Sequence, residues 1–107
     1  MTFVAINYIT CQPDFAERFE YLFSTRAGEI DKMEGFKYME VLRPASEGKP
    51  YLIVSHWEAE EHFKAWTKSE TFLKGHRRGF EDIQKAKEEG RTPPMTSDFQ
   101  TYTVIAT

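Results

Sequence analysis

Hydrophobic and polar positions change period along the chain, and the changes mark out its elements. The opening Phe3-Val4-Ala5-Ile6-Asn7-Tyr8-Ile9-Thr10 is β-branched and aromatic, is stopped by Gln12-Pro13, and reads as a strand. From Pro13 the period becomes helical. Phe15, Phe19, Leu22, Phe23 and Ile30 fall at i, i+4, i+7, i+8 and i+15, one stripe of an amphipathic helix that Gly35 ends. Pro13 suits the first helical position, and Asp14 suits the positive end of the helix dipole. Residues 36–43 and 51–57 read as two strands, and the turn-rich Pro44-Ala45-Ser46-Glu47-Gly48-Lys49-Pro50 between them predicts an antiparallel hairpin. A second helical region runs from 58 to about 78, with Phe63, Trp66, Phe72 and Leu73 as its apolar members. Ser69-Glu70 marks a restart within it, so two short helices are expected. Residues 79–98 are charged and hold Gly90 and Pro93-Pro94, which predicts a partly helical, mobile excursion, and 99–106 close the chain as a last strand.

The order β-α-β-β-α-β is that of a ferredoxin-like α+β sandwich, an antiparallel sheet with helices on one face, expected here as a single domain over residues 1–107. In such a sandwich one face of the sheet has no helix over it. Yet Phe3, Ala5 and Ile9 alternate with Val4, Ile6 and Tyr8, and Leu52-Ile53-Val54 is apolar throughout, so the first and third strands are apolar on both faces. A second copy packed sheet to sheet covers the exposed face most economically, and a homodimer is expected, with Val4, Ile6 and Tyr8 facing the partner.

Composition narrows the function classes. With 14 Lys and Arg against 17 Asp and Glu, the net charge is −3, and the chain lacks the surplus of clustered cations that phosphate backbones require. No nucleic-acid partner is expected. No apolar run approaches the ~20 residues of a membrane-spanning helix, and the N-terminus carries no secretion pattern, so a cytoplasmic protein is expected. The single Cys11 excludes an internal disulfide and a multi-cysteine metal cage. Aromatics reach 15% of the chain, enough to line a cavity for a flat apolar ligand, although they fill ordinary cores as readily.

The chemistry that these residues could carry is underdetermined by pattern alone. His56, His62 and His76 are spaced six and then fourteen apart, so no i, i+4 pair places two imidazoles on one helical face for a metal. Glu58, Glu60 and Glu61 open a helix and read as a solvated start. Cys11 stands at a strand end with no nucleophile motif around it. Asn7 interrupts the face of Phe3, Ala5 and Ile9, where an amide without partners costs about 1–3 kcal/mol; it is either a satisfied core amide or a functional group. Arg26 lies in the stripe of the first helix at i+11 from Phe15, where a cation needs a partner or a path to solvent. Trp66 and His76 are ten residues apart, about 80° out of phase on an unbroken helix, and converge only if the helix bends near Ser69.

Taken together, Asn7 in the first strand, Phe23-Ser24-Thr25-Arg26, Gly35-Phe36 and the segment from Trp57 to His76 resemble the IsdG-type haem-degrading monooxygenases, within the wider antibiotic-biosynthesis-monooxygenase superfamily. The spacing W-x8-W-x2-S-x2-F-x3-H, carried by Trp57, Trp66, Ser69, Phe72 and His76, is the most specific part of that resemblance, which extends over nearly the full length. The resemblance implies a dimeric ferredoxin-like sandwich that binds haem as cofactor and substrate. It further implies opening of the porphyrin ring with O2 and electrons from a reductase, and release of iron. By the same resemblance His76 is the proximal iron ligand, Asn7 a distal hydrogen-bond donor, and Trp66 a wall that presses the porphyrin out of plane. Phe23 is then a haem-packing residue, Arg26 a support of the pocket, and Arg77 and Arg78 nearby cations for the propionates. Two other readings stay open: a cofactor-free monooxygenase of a polycyclic phenol or quinol, and a haem-binding protein without turnover.

Overall fold

The computed structural model describes residues 2–26 and 28–107. Four strands, β1 (Phe3–Cys11), β2 (Phe36–Leu42), β3 (Tyr51–Trp57) and β4 (Met95–Thr103), form one sheet in the order β2-β3-β1-β4, every neighbouring pair antiparallel. Helices α1 (Ala16–Ser24), α2 (Glu60–Thr67) and α3 (Glu70–Glu88) connect them. This is the expected ferredoxin-like α+β sandwich. Among the described residues no helix is long and apolar enough to cross a membrane.

The first helical stretch is shorter than its stripe predicts. A 3₁₀ turn over Pro13–Phe15 leads into α1, which stops at Ser24, and Ile30 belongs to a separate 3₁₀ turn over Glu29–Lys32. The hydroxyls of Ser24 and Thr25 both donate to the carbonyl of Tyr21, at 3.1 and 2.7 Å, and close the last turn on itself. Arg26 therefore lies beyond the helix rather than within its stripe. Gly35, with φ of 79°, precedes β2; a Cβ there would lie 2.1 Å from the His62 ring, so only glycine fits.

Ser69 makes the break between α2 and α3. Its hydroxyl accepts from the backbone N–H of Phe72 at 3.2 Å and donates to the carbonyl of Trp66 at 2.6 Å. From there α3 continues without interruption to Glu88, and residues 79–88, expected as part of a mobile excursion, are its second half. Phe80, Ile83 and Ala86 continue the stripe of Phe72 and His76, and Ala86 is fully buried. Gly79, half-buried beside Met95, costs a helix interior only about 1 kcal/mol, too little to end it. The last strand likewise begins at Met95 instead of Phe99, because all nine of its residues pair with β1 although most of them are polar and exposed. An edge strand of this kind is held by its ladder, which hydrophobic alternation does not reveal.

The helix-facing side of the sheet carries two apolar clusters. Phe3, Ala5, Trp57 and Trp66 form one, and Ile9, Phe19 and Tyr51 the other. Between them, Asn7 on β1 and Ser55 on β3 are the buried polar residues. The interval between the two clusters is where the cavity lies.

Candidate functional site

Two adjoining lobes of about 130 and 90 Å³ share Asn7, Phe23, Arg26, Ile53, Gly75 and His76. The first lobe lies between α1 and α3 and reaches Phe80 and Met95; the second runs under α2 and reaches Trp66 and Phe99. Of the residues singled out from the sequence, Asn7, Phe23, Arg26, Trp66 and His76 all border this space.

His76 projects from α3 with its Nδ1 2.7 Å from the carbonyl of Phe72, one turn earlier. A carbonyl can only accept, so Nδ1 carries the proton and donates, and the lone pair is on Nε2. Burial pushes the His76 pKa below the ordinary histidine value of 6.5, more than the carbonyl raises it. The ring is a neutral nitrogen donor at neutral pH. It stacks on Phe72, with centroids 4.1 Å apart, and on Phe80 at 5.6 Å, while Trp66 stands 5.8 Å away. The break at Ser69 makes that last contact, since one unbroken helix would hold Trp66 and His76 out of phase.

Trp66 is 8% exposed and packs against Trp57 and Phe72, so it is a core residue and a cavity wall at once. Its Nε1 is buried without a hydrogen-bond partner among the described residues, and so is the Oδ1 of Asn7. Each such atom costs about 1–3 kcal/mol, and two of them bordering one cavity point to a ligand or water that completes them. Asn7 is thus no ordinary satisfied amide. By contrast Ser55 accepts from Trp57 Nε1 at 3.0 Å and donates to the Ala5 carbonyl at 3.3 Å.

Phe23 is half-buried and packs on Phe19. Arg26 is exposed at the edge of both lobes, its Nη2 3.3 Å from Asp31. Arg77 does not border the cavity. Arg78 does, but its guanidinium is engaged by backbone: Nη2 donates to the carbonyls of Leu22 and Thr25, and Nη1 donates to the Thr25 hydroxyl. His56 stacks on Tyr38 on the opposite face of the sheet, and His62 lies against Gly35. Cys11 is also outside the cavity, and burial, with Glu20 nearby, pushes its thiol up to about 11. Sequence reasoning missed Phe80, Ile53, Gly75 and Met95 as lining residues; the i, i+4, i+8 spacing of Phe72, His76 and Phe80 was the signal for the first.

Residues 2–78, which contain Asn7, Trp66 and His76, match the family model described as antibiotic biosynthesis monooxygenase. A staphylobilin-producing haem oxygenase of Staphylococcus haemolyticus is 33% identical over 98% of this chain and 97% of that protein. Among solved structures, the haem degrader MhuD of Mycobacterium tuberculosis, with two haems bound in its active site, superposes with a TM-score of 0.71 at 25% identity, covering 98% of this chain and 97% of that one. SnoaB, a cofactor-independent oxygenase of Streptomyces nogalater, reaches a TM-score of 0.69 at 21% identity over 99% of this chain and 95% of its own, a likeness of fold alone.

Proposed function

This chain belongs to the antibiotic biosynthesis monooxygenase family, and we propose that it is a haem-degrading monooxygenase whose substrate occupies the cavity beside His76. One observation carries the reading: the Nδ1 proton of His76 is committed to the Phe72 carbonyl, which leaves a neutral Nε2 lone pair among aromatic walls. Such a lone pair is a good ligand for haem iron, and the likeness to haem-degrading relatives sets this reading above cofactor-free oxygenation, in which the same lone pair would act as a base. The residues present fit the group, since the walls are aromatic and His76 offers a neutral Nε2 among them. Bound haem supplies the iron at which oxygen is reduced by external electrons, and its own ring is the one opened.

In this reading His76 binds iron through Nε2. Asn7, which borders both lobes, would supply an amide hydrogen bond to oxygen there. Trp66 sets the shape of the second lobe, and Phe23 packs against the ring. Arg26 holds a carboxylate at the mouth in exchange for Asp31, an exposed pair of the kind that contributes about 0–1 kcal/mol and is readily given up.

Residues 1–107 act as one unit that pairs with a second copy through the helix-free face of the sheet, in the cytoplasm, and takes electrons from a reductase. Titration of the purified protein with hemin tests the central claim. A Soret band saturating at one haem per chain, bleached by ascorbate in air, is the expected outcome. Absence of the band favours the cofactor-free oxygenase, and a band that persists under reductant favours a haem-binding protein without turnover.

A further inference from the structure

We propose that Arg78 is a positioning residue that braces the cavity: reaching across from α3, it holds the C-terminal end of α1, and so fixes the wall carrying Phe23 and Arg26 relative to His76. The carbonyls at the end of a helix have no partners within it and carry its partial negative charge. α1 ends against the cavity, and its carbonyls receive an arginine from fifty or more residues away. Arg78 Nη2 lies 2.9 Å from the Leu22 carbonyl and 3.1 Å from that of Thr25, while Nη1 lies 2.9 Å from the Thr25 hydroxyl. That hydroxyl in turn donates to the Tyr21 carbonyl at 2.7 Å, so one guanidinium secures the whole last turn. A planar fork of donors suits this task and a lysine ammonium does not.

Position gives the brace its consequence. Arg78 stands two residues beyond His76 on the same helix, and Leu22, Phe23 and Arg26 border the first lobe opposite it. A second tie, Arg18 to Asp82 at 2.9 Å, joins the start of α1 to a later turn of α3. The two ties therefore bracket the lobe, but Arg18 and Asp82 meet side chain to side chain away from its lining, whereas Arg78 acts on backbone next to the cavity. The width of the gap between Phe23 and His76 rests on Arg78. This inference builds on the haem reading where it concerns the ligand, and stands apart from it where it concerns the α1 end.

Arg78→Met, Arg78→Lys and Arg18→Met are compared with the unmodified protein by amide hydrogen exchange without ligand and by hemin binding and release. In Arg78→Met, exchange at Thr25 and Arg26 rises and hemin affinity falls about tenfold through faster release, the worth of one charge-assisted hydrogen bond. Arg78→Lys recovers part of both, and Arg18→Met leaves hemin release within about twofold of the parent. Parental exchange in Arg78→Met overturns the brace, and so does a variant that only melts earlier while hemin kinetics stay parental. If the unmodified protein takes up no hemin, the haem reading fails, and exchange at Thr25 and Arg26 alone decides for or against the brace.

Discussion

A histidine that donates its Nδ1 proton to a carbonyl in its own helix is held in one tautomer and one ring plane before any ligand arrives. For His76 that bond, the stacking on Phe72 and the burial act together. Because its folded pKa is depressed, acid favours the unfolded chain: below about pH 6.5 an exposed histidine takes up a proton while His76 still resists. Stability from this group is therefore complete above pH 6.5 and falls as the solution is acidified. His76→Gln should flatten the loss of stability between pH 6.5 and 5 in denaturant melts, and hemin affinity of the parent should stay level from pH 8 to 6.5 before declining. Asn7 calls for a different measurement. Asn7→Ala should leave the hemin Kd close to the parent value and lower turnover by about 10²-fold, because a donor aimed at the reacting oxygen acts mainly in the transition state. Equal losses of binding and turnover would make Asn7 a support of β1. Its position on the buried face was legible from alternation along the strand, but the unpartnered Oδ1 was not, since pattern says where a side chain points and nothing of what meets it.

Between residue and molecule stands the junction of α2 and α3. Ser69 caps α3 through Phe72 N–H and closes α2 through the Trp66 carbonyl, so the angle at which Trp66 meets His76 depends on one hydroxyl. Ser69→Ala should destabilise the protein by about 1 kcal/mol, read as a melting point about 4 °C or more lower. Ser69→Asp, which keeps the acceptor and loses the donor, should recover most of the melting point and still alter the Soret envelope of the hemin complex. A Ser69→Ala variant that melts with the parent would show that packing alone sets the junction. This restart was legible because a serine before Glu70 is a local signal. The length of α3 was not, because its second half is charged and its apolar members, Phe80, Ile83 and Ala86, are interrupted by a glycine. What keeps it helical is burial of Ala86 and the pairing of Asp82 with Arg18, both tertiary.

At the scale of the whole molecule, the helix-free face of the sheet aligns Ile6 with Val54 and Tyr8 with Leu52, and Tyr8 and Tyr102 share a hydrogen bond of 3.0 Å across β1 and β4. Exposed Tyr38, Leu42 and Tyr102 extend the apolar surface to both edges. Ile6→Glu or Val54→Glu should convert the proposed dimer to a monomer in sedimentation at micromolar concentration, and a monomeric parent would remove the dimer from the account. That both faces of β1 are apolar follows from the amino-acid order alone. So do the order of strands and helices and the face on which Asn7 lies, since each depends on residues within a few positions of one another and on periods of 2 and 3.6. The tautomer of His76, the contact of its ring with Trp66, the two unpartnered buried atoms and the capture of the α1 end by Arg78 were decided only in three dimensions. Arg78 and Thr25 are 53 residues apart, and a hydrogen bond across such an interval exists only once the sheet has brought the two helices side by side.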